Sequence, residues 1–198
     1  MLVQHLPTPF AVIDFPTLKR NIAAMQELAT HAGVRLRPHG KTHKSPVIAK
    51  WQLDAGAAGI CCATLREAET FAGGGITDIG MPYPVNPGPI DPAAATRGTN
   101  MSRVLALIDR GVTLSIVVDN RDVARQWSAA MLAAKRRLRV LVKVDVGFHR
   151  CGVDPHAPGV VDVITDIAGL AGLEFLGLLS HAGHGYGAAS EEQLENIV

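Results

Sequence analysis

Hydrophobic residues fall into short runs and helical stripes that alternate along the chain. Phe10–Asp14 is a brief apolar run that reads as a strand. Leu18, Ile22, Met25 and Leu28 then recur at helical spacing, with Asp14 placed as the cap, Pro16 in the first turn and Gly33 at the close. Val34–His39 reads as a second strand, and Ser45-Pro46 opens a helix over Val47–Ala55. A strand over Ala58–Ala63, a helix over Leu65–Ala72 ended by three glycines, and a strand over Asp78–Pro82 follow. Tyr83–Asn100, rich in Pro, Gly and Asn, reads as a long connection with a short helical turn at Pro92–Ala95. The remaining pattern predicts a helix Ser102–Asp109, a strand Leu114–Asp119 and a helix Asp122–Lys135 with a basic end. It continues with a strand Val140–Val146, a helix Gly159–Ala168, a strand Phe175–Ser180 and a helix from Ser190 to Val198.

Strands alternating with helices imply a parallel sheet with right-handed crossovers. Seven strands suit an open doubly wound sheet, whereas a closed eight-stranded barrel needs another strand or two. The absence of Gly-x-Gly-x-x-Gly after the first strand weakens the dinucleotide-binding form of the open sheet. The expected fold is α/β, a partial TIM (β/α) barrel that is incomplete at Val198.

Composition narrows the function classes. At 198 residues, with 19 Lys plus Arg against 18 Asp plus Glu, the chain can bury a core and has no basic excess that points to nucleic acid. Aromatic residues, at 5%, are too sparse for a base-stacking platform. No apolar run reaches membrane-spanning length, and Met1–His5 lacks a signal-peptide pattern. With an odd three cysteines, no Cys-x-x-Cys and Cys61-Cys62 reading as strand packing, a reduced, cytoplasmic protein is expected.

The unusual polar residues gather at predicted strand ends, where parallel α/β folds bind ligands. In Arg35-Leu-Arg-Pro-His-Gly-Lys41, alternation places Arg35, Arg37, His39 and Lys41 on one face. Cations buried there require something anionic opposite them; a basic, solvent-washed edge strand is the plain alternative. In Leu141-Val-Lys-Val-Asp-Val-Gly147, Lys143 and Asp145 share the inward face and the valines take the helix-covered one. Asp119, Asn120, His181 and His184 end other strands. A structural salt bridge from Asp145 to Arg35 or Arg37 is the plain alternative.

Two chemistries fit these residues. One is a metal-dependent barrel hydrolase with His39, His43, His181 or His184 and an Asp as ligands, although His39 and His43 lie on a strand-to-loop segment without helical i, i+4 geometry. The other is Schiff-base chemistry at Lys41. A lysine crowded by cations and drawn out of water is freed as a nucleophile, and Arg35, Arg37 and Lys44 are the neighbours in sequence that would crowd it.

Arg37-Pro-His-Gly-Lys41-Thr-His-Lys44 resembles the cofactor-lysine motif of the D-threonine aldolase and D-serine dehydratase group, pyridoxal-phosphate enzymes of the alanine-racemase-like fold type. Lys143-Val-Asp-Val-Gly-Phe-His-Arg150-Cys-Gly152 resembles that fold type's Lys-x-Asp-x-Gly-x-x-Arg-x-Gly segment. Thr8–Asp14 and Gly177–His181 fit as well, so the resemblance covers essentially the whole chain.

The resemblance implies that residues 1–14 associate with a neighbouring β domain and residues 15–198 form part of a pyridoxal-phosphate-binding barrel. It implies Lys41 as the lysine that holds the cofactor and acts as a base, Arg150 toward the cofactor ring oxygen and His181 near the pyridine face. His39 joins them as a cofactor-site residue. It further implies a lyase acting on a β-hydroxy D-amino acid, by D-threonine aldolase-type cleavage or D-serine dehydratase-type elimination. A non-catalytic pyridoxal-phosphate binding protein of the same fold is a further alternative, against which the Thr42-His43-Lys44 extension counts. A divalent metal (Mn, Mg or Zn) is expected in the full-length enzyme, with its ligands beyond Val198 and none in this chain. A homodimer is expected at full length. The chain alone is expected to be weak or inactive.

Overall fold

In the computed structural model, which describes residues 7–88, 98–195 and 197, five parallel strands lie side by side in chain order. They are β1 (Ile60–Cys61), β2 (Asp78–Pro84), β3 (Thr113–Val118), β4 (Leu138–Val144) and β5 (Leu173–Ser180). The helices are α1 (Phe15–His31), α2 (Pro46–Asp54), α3 (Leu65–Gly73), α4 (Asn100–Asp109), α5 (Arg121–Ala133), α6 (Val160–Ala168) and α7 (Glu191–Glu195). A doubly wound sheet reverses its strand order at a switch point, and none occurs here, so the order is that of a barrel wall.

The predicted strand Val34–His39 runs beside β1 without becoming a regular ladder. Leu36 O accepts the Ala58 N–H at 2.8 Å and Pro38 O accepts the Cys61 N–H at 2.7 Å. The return bond would need an N–H on Pro38, which proline lacks, and a single parallel bridge from His39 to Cys61 is what remains. Phe10–Asp14 is exposed and forms no strand among the described residues, so the seven expected strands become five plus this edge segment. The turn expected at Pro92–Ala95 lies outside the described residues.

Local signals account for the helix starts. Asp14 accepts the Thr17 N–H at 3.0 Å, Thr64 accepts that of Glu67 at 3.2 Å, and Asn120 accepts that of Asp122 at 2.8 Å. The core lies between helices and sheet, where Phe71, Ile60, Ile79, Ile116, Trp127, Val140 and Val142 are fully buried. Trp127 satisfies its indole N–H on Val85 O at 2.7 Å, tying α5 to the segment after β2. Cys62 packs in this core as expected, and burial pushes its thiol up to about 12; all three cysteines are free. Among the described residues no helix is long and apolar enough to cross a membrane.

Candidate active site

Lys41, Arg150 and His181, three of the residues expected at a site, lie past the carboxyl ends of the strands. Beyond His39 the chain enters a 3₁₀ turn, Gly40–Thr42, which presents Lys41. Gly40 is buried against α3: a Cβ there would run into the Phe71 ring and come within 3.2 Å of Ile60 Cγ2. Only glycine lets the turn lie this close to the helix. His39 Nδ1 accepts the Lys41 N–H at 3.3 Å, which places the ring proton on Nε2. That Nε2 is buried without a hydrogen bond of acceptable geometry, although the Cys61 carbonyl is near enough to favour the protonated ring.

Past β4, the segment 145–152 folds over the strand ends and is held at both sides. Asp145 Oδ1 accepts the N–H groups of Gly147 at 3.0 Å and His149 at 2.9 Å. The His149 N–H foremost, helped by that of Gly147 and the His149 ring, holds the Asp145 carboxyl below its ordinary range against burial. Asp119, at the end of β3, accepts the Gly152 N–H at 3.1 Å. Val153 returns to β4, with its N–H on Lys143 O at 2.8 Å and its carbonyl on the Asp145 N–H at 2.9 Å.

Arg150 is presented by this segment and held by two rings, 4.7 Å from the Tyr83 centroid and 5.1 Å from that of Phe148. Phe148 stacks edge-on with His181 at 5.6 Å, and His181 with Tyr186 at 5.8 Å. Gly183 leaves room for this, since a Cβ there would press on both Phe148 and His181. Lys143, Asp145, Phe148, Arg150, Cys151 and His181 line one small cleft. Lys143 is 2% exposed, and its Nζ is buried with no partner.

Electrostatics link Lys41 and His39 to that cleft. Burial, then the charges of Arg150, Lys143 and Lys41, holds the His181 ring below its ordinary value. Burial and the Lys41 charge do the same to His39, with His181 adding to it and Glu67 opposing. Burial also pulls Lys143 down, with Arg150 adding to the effect and Cys151, Asp119 and Asp145 opposing it. Both histidines are therefore neutral at pH 7 inside a cation-rich mouth.

Several expectations need correction. The basic segment does not bury four cations on one face: Arg35 and Lys41 are exposed, and Arg37 and His39 are half-buried. Arg37 points to the opposite end of the sheet, where it lies over Gly59 and Gly80 and pairs with Asp78 at 2.7 Å. Asp78 begins β2, so this pair belongs to the stability end of the barrel wall rather than to its mouth. Asp145 thus pairs with neither Arg35 nor Arg37. The crowding expected around Lys41 from sequence neighbours is also absent, because Arg37 is neutralised by Asp78 and Lys44 by Glu67. His43 caps Ser45 through Nδ1 at 3.0 Å and packs on Phe71. Among the described residues no three His, Cys, Asp or Glu side chains gather as metal ligands, so the hydrolase reading has no cluster to rest on.

Tyr83, Phe148 and Tyr186 were not singled out in the sequence. Tyr83 follows the predicted strand Asp78–Pro82 at its carboxyl end, a position that could have marked it.

Relatives of this chain are found among enzymes of D-amino acids. It is 39% identical over 179 residues to the D-threonine aldolase of Arthrobacter sp., covering 90% of this chain and 44% of that enzyme. It is 36% identical over 192 residues to the D-threo-3-hydroxyaspartate dehydratase of Delftia sp., covering 97% of this chain and 48% of that enzyme. The solved structure of the Delftia dehydratase superposes with a TM-score of 0.86 at 35% identity over 98% of this chain and 48% of that chain. The crystal structure of D-threonine aldolase from Filomicrobium marinum gives 0.75 at 34% identity, covering 87% and 43%. The chain thus spans about half the length of the relatives it matches. Its residues 13–198 match the family described as alanine racemase, N-terminal domain, and with that span of the sequence matched the chain belongs to this family.

Proposed function

We propose that this chain is the cofactor-binding barrel portion of a pyridoxal-phosphate-dependent lyase acting on β-hydroxy D-amino acids. The reaction is D-threonine aldolase-type cleavage to glycine and an aldehyde. The observation that carries the reading is the buried, unpartnered Lys143 ammonium beside a ring-held Arg150 and a neutral His181, on the side of the sheet where Lys41 emerges. The cationic and aromatic side chains at this rim suit a planar anionic ring laid against them.

Pyridoxal phosphate, when bound, supplies an electron-accepting ring for the bond broken at the substrate Cα. The chain's residues do the rest. Lys41 would hold the cofactor through Nζ, and the same amine, when free, would take up or give back a proton. Arg150 would face the ring oxygen, its guanidinium packed on the Tyr83 and Phe148 rings. His181 would meet the ring face as an uncharged imidazole, its orientation set by edge-on contacts with Phe148 and Tyr186. His39 fixes the backbone of Lys41. A divalent metal, if used for the substrate hydroxyl, is held by residues other than those described here, in a homodimeric longer protein.

Dehydratase-type elimination is the second reading, favoured by the fold match to the Delftia dehydratase. Incubation with pyridoxal phosphate, borohydride reduction and peptide mapping test the cofactor assignment. The expected result is one dominant pyridoxyl adduct, on Lys41, lost in Lys41→Ala. Adducts spread evenly over surface lysines would refute it. Assays of the longer protein on D-threonine and D-serine separate the two reactions.

A further inference from the structure

A second ionic group sits behind the Lys41 turn and has no part in the chemistry above. Lys44 adopts a left-handed backbone, φ 52°, which non-glycine residues hold where their surroundings fix it. Its Nζ donates to Glu67 Oε1 at 2.6 Å. Glu67 is 7% exposed, and its Oε2 accepts the Ala63 N–H at 2.8 Å. Burial pushes the Glu67 carboxyl up, but hydrogen bonds from Lys44 and Ala63 and the Lys44 charge outweigh it, so the group stays ionised below its ordinary range.

The same helix meets the turn again one helical step on, where Phe71 packs on Gly40. Lys41 therefore lies between two points at which its turn is docked on α3. Lys44 N donates to Gly40 O at 2.7 Å and Ser45 N to His43 Nδ1 at 3.0 Å, so the left-handed residue closes the turn. The Glu67 charge also reaches His39, whose ring holds the Lys41 N–H. Glu67 thus acts on both flanks of Lys41.

We propose that Glu67 is a positioning residue: through Lys44 it holds the 40–44 turn in the conformation that aims the Lys41 amine at the strand ends. The consequence for cofactor capture rests on the proposed function; the hold on the turn does not.

The test uses the purified chain, with Glu67→Gln, Lys44→Met and Lys44→Arg. Lys44 is largely exposed, at 66% of its side chain, so Lys44→Met keeps the test open should Glu67→Gln fail to fold. Hydrogen exchange without cofactor is read first. Lys44→Met and Glu67→Gln are expected to speed exchange of the 41–45 amides roughly tenfold while β3 and β4 stay protected, with Lys44→Arg close to the parent. The double variant Lys44→Met/Glu67→Gln is expected to be no looser than the worse single one. Capture of pyridoxal phosphate at Lys41 relative to other lysines, read by borohydride trapping, is expected to fall by a similar factor and to recover in Lys44→Arg. Unchanged exchange at 41–45, or a rise spread evenly over the whole chain, overturns the proposal. So does a loosened turn that captures cofactor at Lys41 as fast as the parent. A parent chain that captures none at Lys41 removes the cofactor reading, and the exchange data still decide whether Glu67 holds the turn.

Discussion

Gly152→Ala isolates the geometry that presents Arg150. Gly152 has φ 120°, a region open in practice to glycine alone. A Cβ there would lie 2.6 Å from Asp145 N and 2.8 Å from Val144 C. Both are backbone atoms of the bridge between Val144 and Val153, so neither can swing aside as a side-chain tip would. Relief requires breaking the hydrogen bonds Val153 N–H to Lys143 O and Asp145 N–H to Val153 O. Backbone strain and two lost hydrogen bonds together cost about 2–6 kcal/mol unless the 145–152 segment detaches. Detachment caps the global loss but releases Arg150 from Tyr83 and Phe148. Gly147→Ala is the control. It has φ 110°, yet the nearest atoms to its Cβ are His184 ring atoms at 3.5 Å, so strain of about 1–3 kcal/mol is its whole cost. Urea unfolding followed by tryptophan fluorescence gives both stabilities, and borohydride trapping gives cofactor capture. A Gly152→Ala chain within about 0.5 kcal/mol of the parent and equal in capture would refute the reasoning.

Gly40→Ala overpacks the Phe71 contact and is expected to cost about 1–3 kcal/mol, with Gly40→Ala/Phe71→Leu costing less than the two single losses combined; thermal melts decide it. Acid destabilisation should come in two steps. His39 and His181 have lowered values when folded, so the unfolded chain takes up protons first and stability falls as pH drops below their ordinary 6.5. Glu67 is also lowered, so its contribution, complete above its ordinary 4.5, is lost as pH falls through its folded value. In melting temperature against pH the upper step should shrink in His39→Asn, with His181 and His43 keeping the rest, and the lower step should shrink in Glu67→Gln, with Asp145 and Glu69 keeping part of it. Cys62, fully buried with its thiol pushed up to about 12, should resist iodoacetamide at pH 8 until the chain is unfolded, as peptide mapping of the native protein would show.

The alternation of strands and helices, the Asp14 cap, the Ser45-Pro46 helix start and the lysine and arginine motifs were legible from residue order because each depends on neighbours a few positions apart. Asp14 and Ser45 cap helices by reaching three residues along, and such contacts survive any tertiary arrangement. Pro38 was readable too, but its effect depends on which partner needs its missing N–H, and that partner, Ala58, lies twenty positions on. The pairing of charges was not legible. Alternation put Arg37 on the same face as Lys41, yet Arg37 binds Asp78 and Lys44 binds Glu67, because a long cationic side chain takes whichever carboxylate the packed helices and strands bring within reach. The same holds for Tyr83, Phe148 and Tyr186, which become the aromatic setting of Arg150 and His181 once separate strand ends converge. Local order writes the elements and their caps; the partners of long, charged side chains are chosen by through-space proximity, which arises when the sheet forms.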